Sequence, residues 1–327
     1  MAKVTVGITA YNSEKYVETC LDSISGQTMN RNDIEVILVD DGSTDETLAL
    51  VNHYADQGWG NFKVLTQPNS GGPSTGRNRI IDEAKGEFIF FVDIDDYLGP
   101  EALSKMWELS QVDSADVVLG RFVGVNGRGV PKYIFRETTP RTSIESTTLM
   151  DSMNVLKMFR SSYVRDLGLR FDPKIKIAED HPFALAAYAN TNRIAIQGDV
   201  DCYFAVRHST DSGQKLHLTG RKRTPEDFFA YMHASFASLA TARSHQSDMA
   251  NRAHWAYWNR LLTLDIPGRL KRTNSEKADL QQAKTLVDLY GANVAMPSLS
   301  SRGKFMLHAL LNDDTKLVSK AVEIVLS

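Results

Sequence analysis

Long apolar runs are missing from this sequence. No stretch approaches the roughly 18 consecutive apolar residues that a membrane-spanning helix needs. The N-terminus passes from Met1-Ala2-Lys3 straight into the strand-like Val4–Ile8, without the apolar stretch and small-residue cleavage site of a secretory signal. Cysteine is scarce too. Cys20 and Cys202 lie far apart, form no C-x-x-C and suggest no disulfide framework, which fits a reducing compartment. Cys20 falls in an apolar helical pattern and reads as a core thiol. A cytoplasmic protein is expected, with contact at the inner face of a membrane left open. The net charge of −3 over 327 residues gives no global electrostatic case for nucleic acid, and no nucleic-acid partner is expected. Internal repeats and low-complexity tracts are absent.

What is present is an alternation of strand and helix patterns over residues 3–124. Val4, Val6 and Ile8 open it, and Tyr16, Val17, Cys20, Leu21 and Ile24 share a helix face behind Ser13. Ile34–Val39 is a nearly continuous apolar strand. Ser43 to Glu46 has capping-box spacing before the next helix. Phe62–Leu65, a helix near 75–85 and Phe88–Val92 follow. Buried apolar strands separated by helices predict an α/β fold, a mostly parallel sheet with flanking helices. Regular alternation stops after 124, where Asn154–Arg160 and Glu179–Ala189 read as short helices. Residues 222–327 are mostly helical in pattern, with breaks at Pro267-Gly268, Gly291 and Pro297. The division predicted is a catalytic domain over 1–220 and a smaller helical domain over 221–327.

Ligands of such sheets bind beyond the carboxyl ends of the strands. Those ends carry Ala10-Tyr11-Asn12, Asp40-Asp41-Gly42-Ser43, Asn69-Ser70-Gly71-Gly72-Pro73 and Asp93-Ile94-Asp95-Asp96. No glycine-rich loop follows the first strand and there is no Walker A loop, so the usual dinucleotide and P-loop modes are excluded. A strand-end D-x-D offers another way to meet phosphate charge. Asp93 and Asp95 can share a divalent cation, magnesium or manganese, that bridges a nucleotide diphosphate. The competing reading is a solvated acidic turn before a helix.

Four blocks carry a resemblance: Val4–Asn12, Val39–Asp45, Asn69–Pro73 with Gly76-Arg77-Asn78, and Phe91–Asp96. In this order they resemble glycosyltransferase family 2, with its GT-A fold. Asn69–Pro73 together with Asn126–Pro131 and Ala178-Glu179-Asp180 is similar to the poly(ribitol-phosphate) wall teichoic acid N-acetylglucosaminyltransferases. The resemblance implies a UDP-sugar donor, a manganese or magnesium ion and inverting transfer to an anionic cell-wall polymer. It places Ala10 and Tyr11 at the uracil, Asp41 as its hydrogen-bond acceptor, and Asn69 and Arg77 on the nucleotide, Arg77 near the diphosphate. Asp93 meets ribose or metal, and Asp95 ligates the metal. Asp180 becomes the general base and Glu179 holds sugar or acceptor, although the pair could instead cap a helix beginning at Pro182. Arg128 and Arg207 are expected at the donor, and Ser212 and Arg260 at the acceptor. Trp255, Tyr257 and Trp258 lie beside Arg260, where they would stack on sugars or fill core. Leu317, Ala321 and Ile324 form one stripe of a terminal helix and Val318, Val322 and Val325 a second. The resemblance favours a homo-oligomer through it, a trimer in the form implied. A transferase acting on a capsule, a glycolipid or another teichoic acid is the alternative. A non-catalytic nucleotide-sugar-binding module and a sugar nucleotidyltransferase are less favoured.

Overall fold

The computed structural model describes residues 2–144, 147–208, 224–243, 247–292, 296–312 and 314–327. Strands β1 (Val4–Ala10), β2 (Ile34–Asp40), β3 (Phe62–Thr66) and β4 (Phe88–Asp93) form a parallel group ordered β3-β2-β1-β4. Its register sets Ala10 level with Asp40, and Thr9 level with Asp93. The chain therefore leaves these strands at one edge. Val4, Val6, Ile8, Val36, Leu38, Phe88 and Phe90 are fully buried. Each contributes about 1.5–3 kcal/mol of burial, which is why these runs carry almost no polar residues.

Helices α1 (Val17–Ser25), α2 (Thr47–Asp56) and α3 (Ser74–Glu83) connect the parallel strands. The face of α1 buries Val17, Cys20, Leu21 and Ile24, as its periodicity predicts. The capping box expected at Ser43–Glu46 does not form. Asp45 takes the Thr47 N–H, while the Ser43 hydroxyl accepts the Asn12 N–H. Among the described residues the sheet has nine strands. Beyond β4 it runs through β8 (Met158–Arg160), β6 (Val117–Val125) and β9 (Ile194–Val206) to the short β5 (Tyr97–Leu98), with β7 (Thr139–Thr142) on β9. Strand β6 pairs parallel with β9, whereas β8 is antiparallel to both neighbours. The helix expected over Asn154–Arg160 is thus replaced by a turn and a strand. Three side chains or strands claim its backbone: the Asn154 side chain accepts the Leu156 N–H, the Lys157 ammonium binds the Ser152 and Asn154 carbonyls, and 158–160 fills the gap between β4 and β6.

Helix α4 (Ala102–Val112) packs on β6 and β9, α5 (Ser161–Asp166) follows β8, and α6 (Asp180–Ala189) precedes β9. The C-terminal part is helical: α7 (Pro225–Arg243), α8 (Ser247–Arg260), α9 (Ile266–Arg272), α10 (Lys277–Tyr290), α11 (Ser301–Leu311) and α12 (Thr315–Leu326). Helix α7 packs on α6, and buried residues of both parts form one continuous cluster. The break expected at Pro267-Gly268 is bridged. A π-helical turn, Leu261–Asp265, joins α8 to α9, and Pro267 falls in the first turn of α9, where its missing N–H costs little. Gly291 ends α10 in the left-handed conformation.

Two expectations for this region change, and one reading left open, core or sugar stacking for the aromatics, falls to core. Arg260 is not offered to an acceptor: it is largely buried, paired with Asp265 at 2.9 Å, and donates to the Met150 carbonyl. Tyr257 and Trp258 are fully buried core residues. In α12, Asp314 caps the start as read, but Val318, Ala321, Val322 and Val325 are buried inside the chain, where α12 packs on α9 and α11. Ile324 is 43% exposed and Leu317 half-buried, so only they face outward from the two predicted stripes. Ser212 and the 220/221 division lie outside the described residues.

Candidate active site

The loops at the carboxyl edge are stitched to one another. Asn12 accepts the Thr44 N–H and Ser13 N–H donates to the Thr47 hydroxyl. Glu14, which would repel a phosphate, is occupied by the Glu46 N–H. Gly42 has φ +77°, and a methyl there would lie 2.9 Å from the Asn69 nitrogen, so only glycine lets the two loops touch. Asp41 draws in the third loop. It accepts from Gln67 Nε2 at 2.6 Å and from both the N–H and the hydroxyl of Ser70. Asp40 accepts the Gly42 and Ser43 N–H groups through Oδ2, and its buried Oδ1 has no partner among the described residues. Ala10 is buried beneath this surface, while Tyr11 is 49% exposed above it. Asn69 is exposed and folds its own turn by accepting the Gly71 N–H. The result is a polar shelf with one exposed aromatic ring, suited to a flat heterocycle.

Next to the shelf lies a charge cluster. Gly76 lets α3 approach β1, since a methyl there would meet Thr9 Cγ2 at 2.7 Å. That approach carries Arg77 under the sheet edge, where it is 6% exposed. Its Nη1 donates to Glu179 at 2.9 Å and to Asp180 at 2.6 Å, and its Nη2 donates to Asp93 at 3.0 Å. Glu179 makes no side-chain cap to α6, and the helix starts at Asp180 rather than Pro182. The pair therefore faces the arginine, not the helix end. Ala178, with φ +52°, turns the backbone so that both carboxylates point that way. One guanidinium serves three carboxylates. Burial pushes the Asp180 carboxyl up to about 6, with Arg77 opposing and Glu179 adding to the rise. Burial likewise pushes Asp93 up to about 6 against the pull of Arg77, with Asp95 and Asp180 adding to the rise. The local excess of negative charge calls for a cation.

Oxygens of Asp93, Asp95 and Asp96 lie within 4.8 Å of one another. Asp96 is committed elsewhere. It accepts the Tyr203 hydroxyl at 2.9 Å and the Val206 N–H at 2.7 Å, and Tyr203 in turn accepts the Asp93 N–H. Burial, then Asp93 and Asp95, push Asp96 up to about 7. Its role is to brace the turn against β9. Asp93, which Arg77 holds through Oδ1, and Asp95 carry hard carboxylate oxygens of the kind that magnesium or manganese takes.

The other expected residues fall on the rim. Arg128 and Arg207 both donate their backbone N–H to the Val125 carbonyl, and both side chains are exposed. A methyl on Gly127 would lie 3.6 Å from Arg207 Nη1, so the two turns adjoin. Arg77, expected at the diphosphate, is instead engaged by the carboxylates. Sequence reasoning missed Gln67 and Tyr203, and placed His208 only as following the strand that ends at Val206. The His208 ring lies 4.4 Å from that of Tyr16 and its Nε2 is 2.7 Å from the Asp95 carbonyl. The strand-end rule reaches His208, which directly follows Arg207 at the end of β9.

A parallel nucleotide half, a D-x-D at the end of β4 and an acidic pair opposite it define a GT-A sugar-transferase architecture. The chain belongs to glycosyl transferase family 2, whose family model matches residues 5–168. It is 38% identical over 238 residues to the poly(ribitol-phosphate) beta-glucosyltransferase of Bacillus spizizenii, covering 72% of this chain and 37% of that protein. It is 36% identical over 243 residues to the poly(ribitol-phosphate) beta-N-acetylglucosaminyltransferase TarS of Staphylococcus aureus, covering 74% and 41%. The chain thus spans about two fifths of the length of these two relatives. The crystal structure of S. aureus TarS 1-349 in complex with UDP-GlcNAc matches with a TM-score of 0.87 at 28% identity, over 98% of this chain and 90% of that one. The structural likeness therefore continues through the C-terminal helices.

Proposed function

We propose that the protein transfers a sugar from a UDP-linked donor to poly(ribitol-phosphate) wall teichoic acid, with inversion at the anomeric carbon. N-acetylglucosamine is the sugar we assign first. The observation that carries this reading is the cluster in which Arg77 joins Asp93, on the D-x-D side, to Glu179 and Asp180 across the cleft. The shelf formed by Tyr11, Asp41 and Asn69 takes the uracil and ribose, and Arg128 and Arg207 face the donor from the rim. Asp93 and Asp95 hold manganese or magnesium. Such an ion, when bound, neutralises charge on the leaving diphosphate. Asp180 takes the proton of the acceptor hydroxyl as its oxygen attacks the anomeric carbon, and its raised pKa suits that task. The bond from that carbon to the diphosphate oxygen breaks on the opposite face. Glu179 orients sugar or acceptor.

Residues 1–220 make up the catalytic domain in this proposal, and 221–327 an acceptor-binding or oligomerising one. Self-association through α12 uses Leu317 and Ile324, the outward members of its apolar set. The protein works in the cytoplasm at the inner face of the membrane. No helix among the described residues is long and apolar enough to cross it.

One observation favours a second reading. Arg260, the basic residue expected at the polymer, is internal, so a different surface polymer is the alternative acceptor. The test offers UDP-GlcNAc or UDP-glucose with poly(ribitol phosphate) and manganese, and reads the product linkage by NMR. A β-linked N-acetylglucosaminyl ribitol supports the assignment. Preferred transfer of glucose corrects the sugar, and transfer from neither donor to the polymer overturns the acceptor.

A further inference from the structure

Asp180 sits in a turn that closes around it. The His181 N–H donates to the Ala178 carbonyl at 3.0 Å, and Ala178 itself is held at φ +52°. Residues other than glycine resist that conformation, so the turn persists only where its surroundings fix it. Arg77 is one hold, through Glu179 at 2.9 Å and Asp180 at 2.6 Å. The next residue supplies another. His181 sets its ring against that of Tyr231 in α7, edge to face, with centres 4.8 Å apart. Its Nδ1 is buried without a partner among the described residues, so packing rather than a hydrogen bond at that nitrogen holds the ring. Burial, with the charges of Arg260 and Lys157 adding, keeps its pKa well below the ordinary histidine value, and the ring is neutral. Tyr231 is buried and is backed in turn. Its ring lies 5.8 Å from that of Phe228, the Arg269 guanidinium lies over Phe228 at 5.2 Å, and Asp279 accepts from Arg269 at 2.8 Å. The hold on His181 therefore reaches through α7 into α9 and α10.

We propose that His181 is a positioning residue for Asp180: its ring, packed on Tyr231, anchors the 178–181 turn to the helical part and so fixes where the Asp180 carboxylate stands relative to Arg77. This rests on Asp180 being the general base. A neutral ring held by packing can be replaced by phenylalanine, whereas an imidazole that exchanged protons or bound the acceptor could not. The anchor acts on the base, so turnover rather than nucleotide-sugar binding carries the effect.

The experiment compares His181→Ala, His181→Leu, His181→Phe, Tyr231→Ala and Asp180→Asn with the unaltered protein. UDP-GlcNAc affinity is read by calorimetry. UDP release with manganese is read with poly(ribitol phosphate) as acceptor and, without polymer, with water. His181→Ala is expected to lower kcat about 100-fold, as a small misplacement of a reacting group does, with donor Kd within about twofold. His181→Leu fills the space without a flat ring and is expected to lose about 10-fold, whereas His181→Phe keeps the edge-to-face contact and stays within about threefold. Tyr231→Ala removes the same contact, so joining it to His181→Ala is expected to cost no more than either alone. His181→Ala added to Asp180→Asn is likewise expected to cost nothing further. Leu310→Ala, a change in the buried face of α11, is expected to lower Tm and leave kcat unchanged. Unchanged kcat in both His181→Ala and His181→Leu overturns the proposal. So does His181→Phe as slow as His181→Ala, which gives the imidazole a chemical role. A parallel loss of kcat and donor affinity also overturns it, since that assigns the contact to general stability. Where His181→Ala does not fold, the contrast of His181→Leu with His181→Phe decides in the same way. Full turnover by Asp180→Asn instead refutes the base assignment, whatever the His181 variants do.

Discussion

Arg77 brings one positive charge to three carboxylates, and its removal leaves them facing one another in a partly closed space. Arg77→Met should destabilise the fold by about 2 kcal/mol, below the usual cost of breaking a buried pair because the Asp93 side chain is only partly buried, at 38% exposure. Urea unfolding at pH 7.5 measures this. An unchanged midpoint would mean the cluster is solvated enough not to need its cation. None of this convergence was legible in the sequence. Asp93 is 16 residues from Arg77, and Glu179 and Asp180 are 102 and 103 away. Family resemblance pointed each residue at ligand, and pairing between distant side chains is what a motif does not encode. Asp96 is a similar case. It reads as an extension of the D-x-D, but two partners beyond residue 200 turn it into a brace.

The same carboxylates make stability depend on pH. Asp93, Asp180 and Asp96 are pushed from an ordinary value near 4 to about 6, 6 and 7. The folded state therefore holds protons more tightly than the unfolded one, and this cluster's contribution falls as pH rises from about 4 through 7. A divalent ion competes with those protons. Manganese should raise Tm more at pH 7.5 than at pH 5, and Asp95→Asn should abolish most of the rise. An equal rise at both pH values would contradict a site built from these carboxylates.

Secondary elements were legible where the chain alternates strand and helix. Their periodicity is local, and the parallel register then brings the strand ends to one edge without further instruction. The segment 154–160 was not legible, because a buried ammonium and two strands decide its backbone, and neither appears in a short window. In α12 the two apolar stripes were visible but not what covers them. Val322 is buried within the chain while Ile324 is 43% exposed. Val322→Asp should destabilise by about 3 kcal/mol, whereas Ile324→Asp should stay within about 0.5 kcal/mol. Thermal melts separate them. Sedimentation of Ile324→Asp then tests self-association, which predicts smaller particles than the unaltered chain forms. An unaltered monomer would remove that role from α12.

At the scale of the molecule, one apolar cluster runs from the parallel sheet into the C-terminal helices. Contact between α6 and α7 sets His181, the neighbour of Asp180, against Tyr231 with ring centres 4.8 Å apart. The segment that carries Asp180 and the helical part are thus mechanically joined. The most direct test of the account is UDP release from UDP-GlcNAc by Asp180→Asn, with manganese and poly(ribitol phosphate), alongside donor affinity. The account predicts donor binding like that of the unaltered protein and loss of polymer-stimulated release by about 100-fold or more. Retained release at full donor affinity would contradict it.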